Sequence, residues 1–231
     1  MSDPVVVLGA AGGIGRACTR RLASEGRRVI GLDRVSWKDS HLTQHYEVDL
    51  QNEMDVDSLA RILSDTHRDL WGLVYCAGIY PIVSLQEYNE SLWDAVHSVN
   101  VKGAFLSIRA LEPSLVAGGR IVLVSSAAAF IGSRDVGYAA SKAGLTGLTR
   151  GLALALAQRP ILVNAIAPGL IDTPMSQNMS EQHQAEHIEA IPLRRAGLPD
   201  EVAVAVSFLL AEDNSYMTGA VVHVDGGLPT G

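Results

Sequence analysis

Tyr138, Lys142, Ser126 and Asn100 are the residues of this chain whose types and spacing could do chemistry. Tyr138 and Lys142 stand four apart in Tyr138-Ala-Ala-Ser-Lys142. On a helix they would share one face. A phenol with a reference pKa of about 10 is too high for a base at neutral pH. An ammonium beside it favours the phenolate and is expected to lower that pKa, which would make a usable general acid/base. Ser126 follows the apolar run 120–125, twelve residues before Tyr138. Its hydroxyl could bond a substrate oxygen beside the tyrosine. Asn100 adds a fourth polar group that could relay protons. Taken singly, Tyr-x-x-x-Lys is a solvated helix pair and Asn100 a helix break; the combination points to catalysis.

A second group of residues suits a phosphate. Gly9, Gly13, Ile14 and Gly15 lie between an apolar run and a helical pattern. Glycines let the backbone come close to a ligand. A helix start offers free N–H groups and a positive dipole end, which suit a pyrophosphate. The spacing Gly9-x-x-x-Gly13-x-Gly15 is not the G-x-G-x-x-G fingerprint, so its placement after the first strand carries the argument. Asp33 ends the second apolar run, 18 residues past Gly15. A carboxylate there would accept bonds from an adenosine ribose and repel a 2′-phosphate. Position 12 is Gly, so no basic residue precedes Gly13. Both facts favour NAD over NADP, whereas Arg34 next door could grip a phosphate. The plain alternative for Asp33 is a strand-end cap.

These residues need a frame. Residues 5–9, 28–33, 70–76, 120–125, 162–167 and 220–224 read as buried strands, with 45–48 a weaker seventh. Helical patterns fall at 13–25, 54–66, 92–115, 138–157 and 200–211. Strands apolar on both faces that alternate with helices predict one doubly wound α/β domain over 1–231, Rossmann-like, with a parallel sheet of about seven strands. The loop 34–44 is short for a crossover helix. The irregular segment 168–199, with a polar helix-like stretch at 180–190, follows a strand end and suits a lid over a substrate site; the plain alternative is a functionless surface loop.

Composition sets the limits. The chain has 231 residues, 48% hydrophobic and 19% charged, enough for a real core. A formal net charge of −7 and no Lys/Arg run longer than two argue against nucleic acid and anionic membranes as partners. No apolar run reaches 18 residues, and the start carries no basic leader, so a cytoplasmic protein is expected. Cys18 and Cys76 read as two reduced, buried thiols, with no CxxC. His183 and His187 could share a helix face, but further ligands are not evident and no metal is expected. Ile79, Tyr80, Phe130, Ile131, Met175 and Met179 suit a substrate wall or a core. Arg134 and Asp135 read as charges at its mouth, and 228–231 as an ordinary tail.

Over nearly its whole length the chain resembles the short-chain dehydrogenase/reductase family. The matching segments are the Gly9–Gly15 turn, Val48-Asp49-Leu50, Ala77-Gly78, Asn100-Val101, Ser125-Ser126, Tyr138–Lys142, Pro168-Gly169 with Thr173, and the C-terminal Pro192–Val202 and Thr218–Gly227 signatures. The resemblance implies that Tyr138 exchanges a proton with the substrate oxygen. Lys142 would hold the nicotinamide ribose and lower the Tyr138 pKa. Ser126 would polarise the carbonyl, and Asn100 would anchor a water reaching Lys142. Asp49, Leu50, Ala77, Gly78, Pro168, Gly169, Ile171 and Thr173 would complete the cofactor site. Counting thirteen back from Tyr138 lands on Ser125; Ser126 is preferred because Gly132 follows it by six, as in relatives.

Leu8 and Cys76 replace a Thr and an Asn usual in the family, and are expected to face each other as a pair swapped together. The resemblance implies an oxidoreductase passing hydride between NAD(H) and a secondary alcohol or ketone, as a homotetramer or homodimer. The alternatives are a 3-oxoacyl-thioester reductase, usually NADPH-linked in this family, and a nucleotide-binding regulator without turnover.

Overall fold

The computed structural model describes residues 3–67 and 69–228; the very start and the tail positions 229–231 lie outside them. Chain order is β1 (Val5–Leu8), α1 (Gly13–Ser24), β2 (Val29–Asp33), β3 (Gln44–Glu47), α2 (Glu53–Thr66), β4 (Leu70–Tyr75), α3 (Glu90–His97), α4 (Gly103–Leu111), β5 (Leu115–Val124), the single turn α5 (Ala128–Ile131), α6 (Val136–Leu156), β6 (Leu162–Pro168), α7 (Glu181–Ala190), α8 (Pro199–Leu210) and β7 (Val221–Val224). All seven strands are parallel, in the order β3-β2-β1-β4-β5-β6-β7. This is the doubly wound sheet expected.

The strand order reverses between β1 and β4, so the chain leaves their carboxyl ends in opposite directions. The crevice this opens is where such sheets bind ligands. Two apolar layers cover the sheet. Val6, Leu8, Leu73 and Tyr75 face α2, α4 and α6. Val5, Val7 and Val74 lie on the opposite face, against α1 with its Cys18 and against α8. Residues alternate between these layers because successive strand side chains point to opposite faces.

No helix joins β2 to β3, as the short loop implied. The pattern at 92–115 is not one helix. A π turn, Ser98–Lys102, separates α3 from α4, a 3₁₀ turn follows at Glu112–Ser114, and Leu115 already belongs to β5. Pro113 lacks the N–H a longer helix needs. The π turn matters because it carries Asn100, and such turns concentrate at functional sites.

Candidate active site

The phosphate turn needs its glycines. Gly9 has φ +80°, and a Cβ there would lie 2.5 Å from the Ala77 nitrogen. A Cβ on Gly13 would lie 2.7 Å from Cγ2 of Thr173, so the loop after β6 closes directly onto the turn. Gly13, Ile14 and Gly15 open α1, where helix geometry leaves amides without helical acceptors. Asp33 ends β2 at the same place: Oδ2 accepts the Ala11 amide at 2.9 Å and Oδ1 accepts the Val35 amide at 3.3 Å. These residues line a cleft of about 370 Å³ with Arg34, Asp49, Leu50, Ala77, Gly78, Ile79 and Thr173. The glycine cradle, the helix start and the carboxylate fit a dinucleotide.

An apolar pocket adjoins the cleft. Ile14, Cys76, Gly78, Thr173 and Met175 border both. Ser126, Tyr138 and Lys142 lie in this pocket, with Pro168, Gly169 and Ile171 in its wall. The Ser126 hydroxyl shares this pocket with the Tyr138 phenol and favours its phenolate. Its neighbour Ser125 also borders the pocket but is buried and donates to the Lys142 carbonyl at 2.8 Å. Lys142 Nζ donates to the Val124 carbonyl at 2.9 Å. Asn100 is fully buried; its Nδ2 donates to the Ile79 carbonyl and the Ser141 hydroxyl, and its Oδ1 accepts the Ile79 amide. A Cβ on Gly78 would sit 3.3 Å from both Asn100 Oδ1 and Lys142 Nζ. Residues from the segment after β4, the π turn, the end of β5 and α6 thus converge on one point.

A family model described as enoyl-(acyl carrier protein) reductase matches residues 9–229. The 3-oxoacyl-[acyl-carrier-protein] reductase of Thermotoga maritima is 37% identical, with 96% of each chain covered. A short-chain dehydrogenase family protein of Francisella tularensis superposes with a TM-score of 0.91 at 28% identity, covering 99% of both chains. The chain belongs to the short-chain dehydrogenase/reductase family. It is an oxidoreductase that uses a nicotinamide dinucleotide on a small-molecule substrate. A second curated relative, the (3R)-3-hydroxyacyl-CoA dehydrogenase of Mus musculus, is 37% identical over 96% of this chain and 95% of its own.

Several expectations for this dehydrogenase/reductase need correction. Leu8 does not face Cys76. Leu8 pairs in register with Tyr75 on the α4 side, whereas Cys76 points to the α1 layer. Cys76 is only half-buried and lines the pocket; its hydrogen bond, with burial second, pushes the Cys18 thiol up. The Tyr138 pKa is not lowered. Burial pushes it up to about 12, the Ser126 hydroxyl pulling the other way. Burial also brings Lys142 down to about 8, its Nζ 5.7 Å from the Tyr138 ring centre. An enclosed site disfavours phenolate and ammonium alike.

Phe130 leaves the substrate wall and packs edge-on to His223, ring centres 4.7 Å apart. Tyr80, Ile131, Met175 and Met179 do line the pocket, and Ile79 borders the cofactor cleft instead. Arg134 pairs with Glu186 at the surface, but Asp135 is only 2% exposed. His187 was overlooked as a pocket residue. It lines the pocket from α7, its Nε2 3.1 Å from that of His183, and burial followed by the His183 charge lowers its pKa. Helical spacing puts the two imidazoles side by side, but cannot say that this face looks inward. Among the described residues no three His, Cys, Asp or Glu gather as metal ligands.

Proposed function

We propose that this protein interconverts a 3-oxoacyl thioester and its 3-hydroxyacyl counterpart with NAD(H). The meeting of the Tyr138 and Ser126 hydroxyls, at an apolar pocket that opens onto the dinucleotide cleft, carries this reading. Two donors aimed at one spot suit a carbonyl oxygen, where charge develops as it is reduced. The named relatives from Thermotoga maritima and Mus musculus favour the acyl-thioester alternative over an unspecified secondary alcohol. A turnover-free regulator loses ground, since this fold keeps all four polar groups together.

The roles follow from chemistry. Ser126 and Tyr138 hold the carbonyl oxygen, and Tyr138 gives it a proton during reduction or takes one back during oxidation. Lys142, held by the Val124 carbonyl, offsets the phenolate charge. Asn100 fixes the Ile79 backbone and would anchor a water through which Lys142 regains its proton from solvent. The bound nicotinamide supplies or accepts the hydride. Gly9, Gly13, Ile14 and Gly15 would hold the pyrophosphate, Asp49 and Leu50 would border the adenine, and Pro168, Gly169, Ile171 and Thr173 would hold the nicotinamide. Segment 168–199 covers the substrate.

Asp33 supports NAD over NADP. A carboxylate has lone pairs beyond the two used by the Ala11 and Val35 amides, so it can accept ribose hydroxyls. Its charge would oppose a 2′-phosphate, and Arg34 is the competing group. Our reading includes a cytoplasmic homotetramer joined through α4, α6 and β7. Calorimetric titration should show tighter NAD⁺ than NADP⁺ binding, weakened at least tenfold by Asp33→Ala. The reverse preference would give the cofactor pocket to Arg34. Tyr138→Phe should lower kcat on a 3-oxoacyl thioester by roughly a hundredfold or more; full turnover in that variant would remove Tyr138 from the mechanism.

A further inference from the structure

Among the described residues, Asp135 is the one buried carboxylate next to the reaction centre that the roles above leave unused. Its position at the cap of α6 ties three separate segments together. Oδ1 accepts the Tyr138 amide at 2.9 Å and the Tyr88 hydroxyl. Oδ2 accepts the Ile82 amide at 2.9 Å and the Val83 amide at 3.3 Å. The segment after β4 bends sharply to reach it: Ile82 has φ +61°, a conformation that a β-branched residue rarely adopts. The same segment lays Tyr80 over Tyr138, ring centres 4.2 Å apart. The Tyr88 ring meanwhile occupies the space a Cβ on Gly137 would need.

We infer that Asp135 is a positioning residue for the general acid/base: one carboxylate holds Tyr138 and its covering residue Tyr80 in a single fixed relation. The inference rests on the role proposed for Tyr138. A cap alone could be supplied by Ser or Asn. Only a carboxylate, an acceptor at both oxygens, can also take the Ile82 and Val83 amides and the Tyr88 hydroxyl. Its charge also bears on the reaction. Tyr138 is faced by Ser126 from the end of β5, Tyr80 from the segment after β4, Lys142 one turn along α6 and Asp135 at its cap, with His187 of α7 in the same pocket. Asp135 in turn is faced by Tyr88 and Tyr80, and its amide is taken by the Ser133 hydroxyl. Burial holds the Tyr138 phenol protonated, Ser126 pulls the other way, and the Asp135 charge adds to the effect of burial.

Asp135→Ser tests this in the full chain. It keeps the cap but loses the charge and the second acceptor. It should stay folded, bind NAD⁺ within about threefold of the parent, and lose at least tenfold in kcat. In the oxidation of a 3-hydroxyacyl thioester, rate rises as the phenolate forms. Removing the Asp135 charge lowers the Tyr138 pKa, so the half-point of that rise should move to lower pH. An unchanged kcat with an unmoved half-point overturns the inference. So does a fall in kcat that only follows a lower melting temperature while the half-point stays put. Should Asp135→Ser not fold, Asp135→Asn keeps one acceptor without the charge, and its half-point decides. Tyr138→Phe separates the two readings. If it turns over normally, the acid/base assignment fails; if it is inactive while Asp135→Ser is normal, only the role of Asp135 fails.

Discussion

Leu8 shows how one side chain can be mistaken for half of a pair. Family resemblance sets it opposite Cys76, but β1 and β4 pair Leu8 with Tyr75, and Cys76 is one residue further along on the other face. The consequence can be measured. Leu8→Thr would bury a hydroxyl in an apolar layer and cost roughly 1–3 kcal/mol. Cys76→Asn cannot supply its partner through the sheet. The Cys76 amide donates to the Leu8 carbonyl at 2.8 Å, but the two side chains lie on opposite faces, so the stability losses of the two changes should nearly add. Recovery of stability in the double variant would place the two side chains on one face and overturn this account. Tyr138 and Lys142 were legible as a pair from their spacing. Their shared desolvation was not, because it depends on the Val124 carbonyl and on walls from β4, β5 and the loop after β6.

At the scale of elements, the π turn at Ser98–Lys102 is the feature that sets the site. It breaks what reads in the sequence as one long helix and puts Asn100 against Ile79 and Ser141. Tyr75 supports it from β4, its buried hydroxyl donating to the Val99 carbonyl at 2.6 Å. Tyr75→Phe would leave that carbonyl without this donor, at a cost of about 1 kcal/mol. Because Val99 adjoins Asn100, we expect kcat to fall several-fold and NAD⁺ affinity to change less, since Val99 is the π turn's one lining residue in the dinucleotide cleft. A variant with parental kcat and melting temperature would show that the turn stands without Tyr75. Apart from β5, which begins at Leu115 where a helix end was expected, the strands and most helices were legible to within a residue or two, since their apolar periods are local. The π turn was not, because its support comes from Tyr75, 24 residues earlier.

At the scale of the molecule, exposed apolar groups mark the faces through which the proposed homotetramer would form. Leu154 on α6 is 82% exposed, and Phe105 on α4 is 43% exposed. Joining copies of these helices would remove that surface from water. Light scattering of the parent protein should give the mass of four chains, and Leu154→Glu with Phe105→Glu should give a smaller assembly. A monomeric parent would remove the assembly from the reading. Among the described residues no helix is long and apolar enough to cross a membrane.

The sequence by itself determined the doubly wound class, the phosphate turn and the shared helix face of Tyr138 and Lys142. Each rests on period or spacing within a short window, where local geometry decides which residues share a face. The tertiary structure alone decided what faces what across long separations. It put Cys76 behind Leu8 and His187 in the pocket wall. It also turned Asp135 from a mouth charge into a buried clasp whose partners include Ile82, 53 residues away. Such contacts depend on how strands and helices stack, and no local pattern in the chain encodes that.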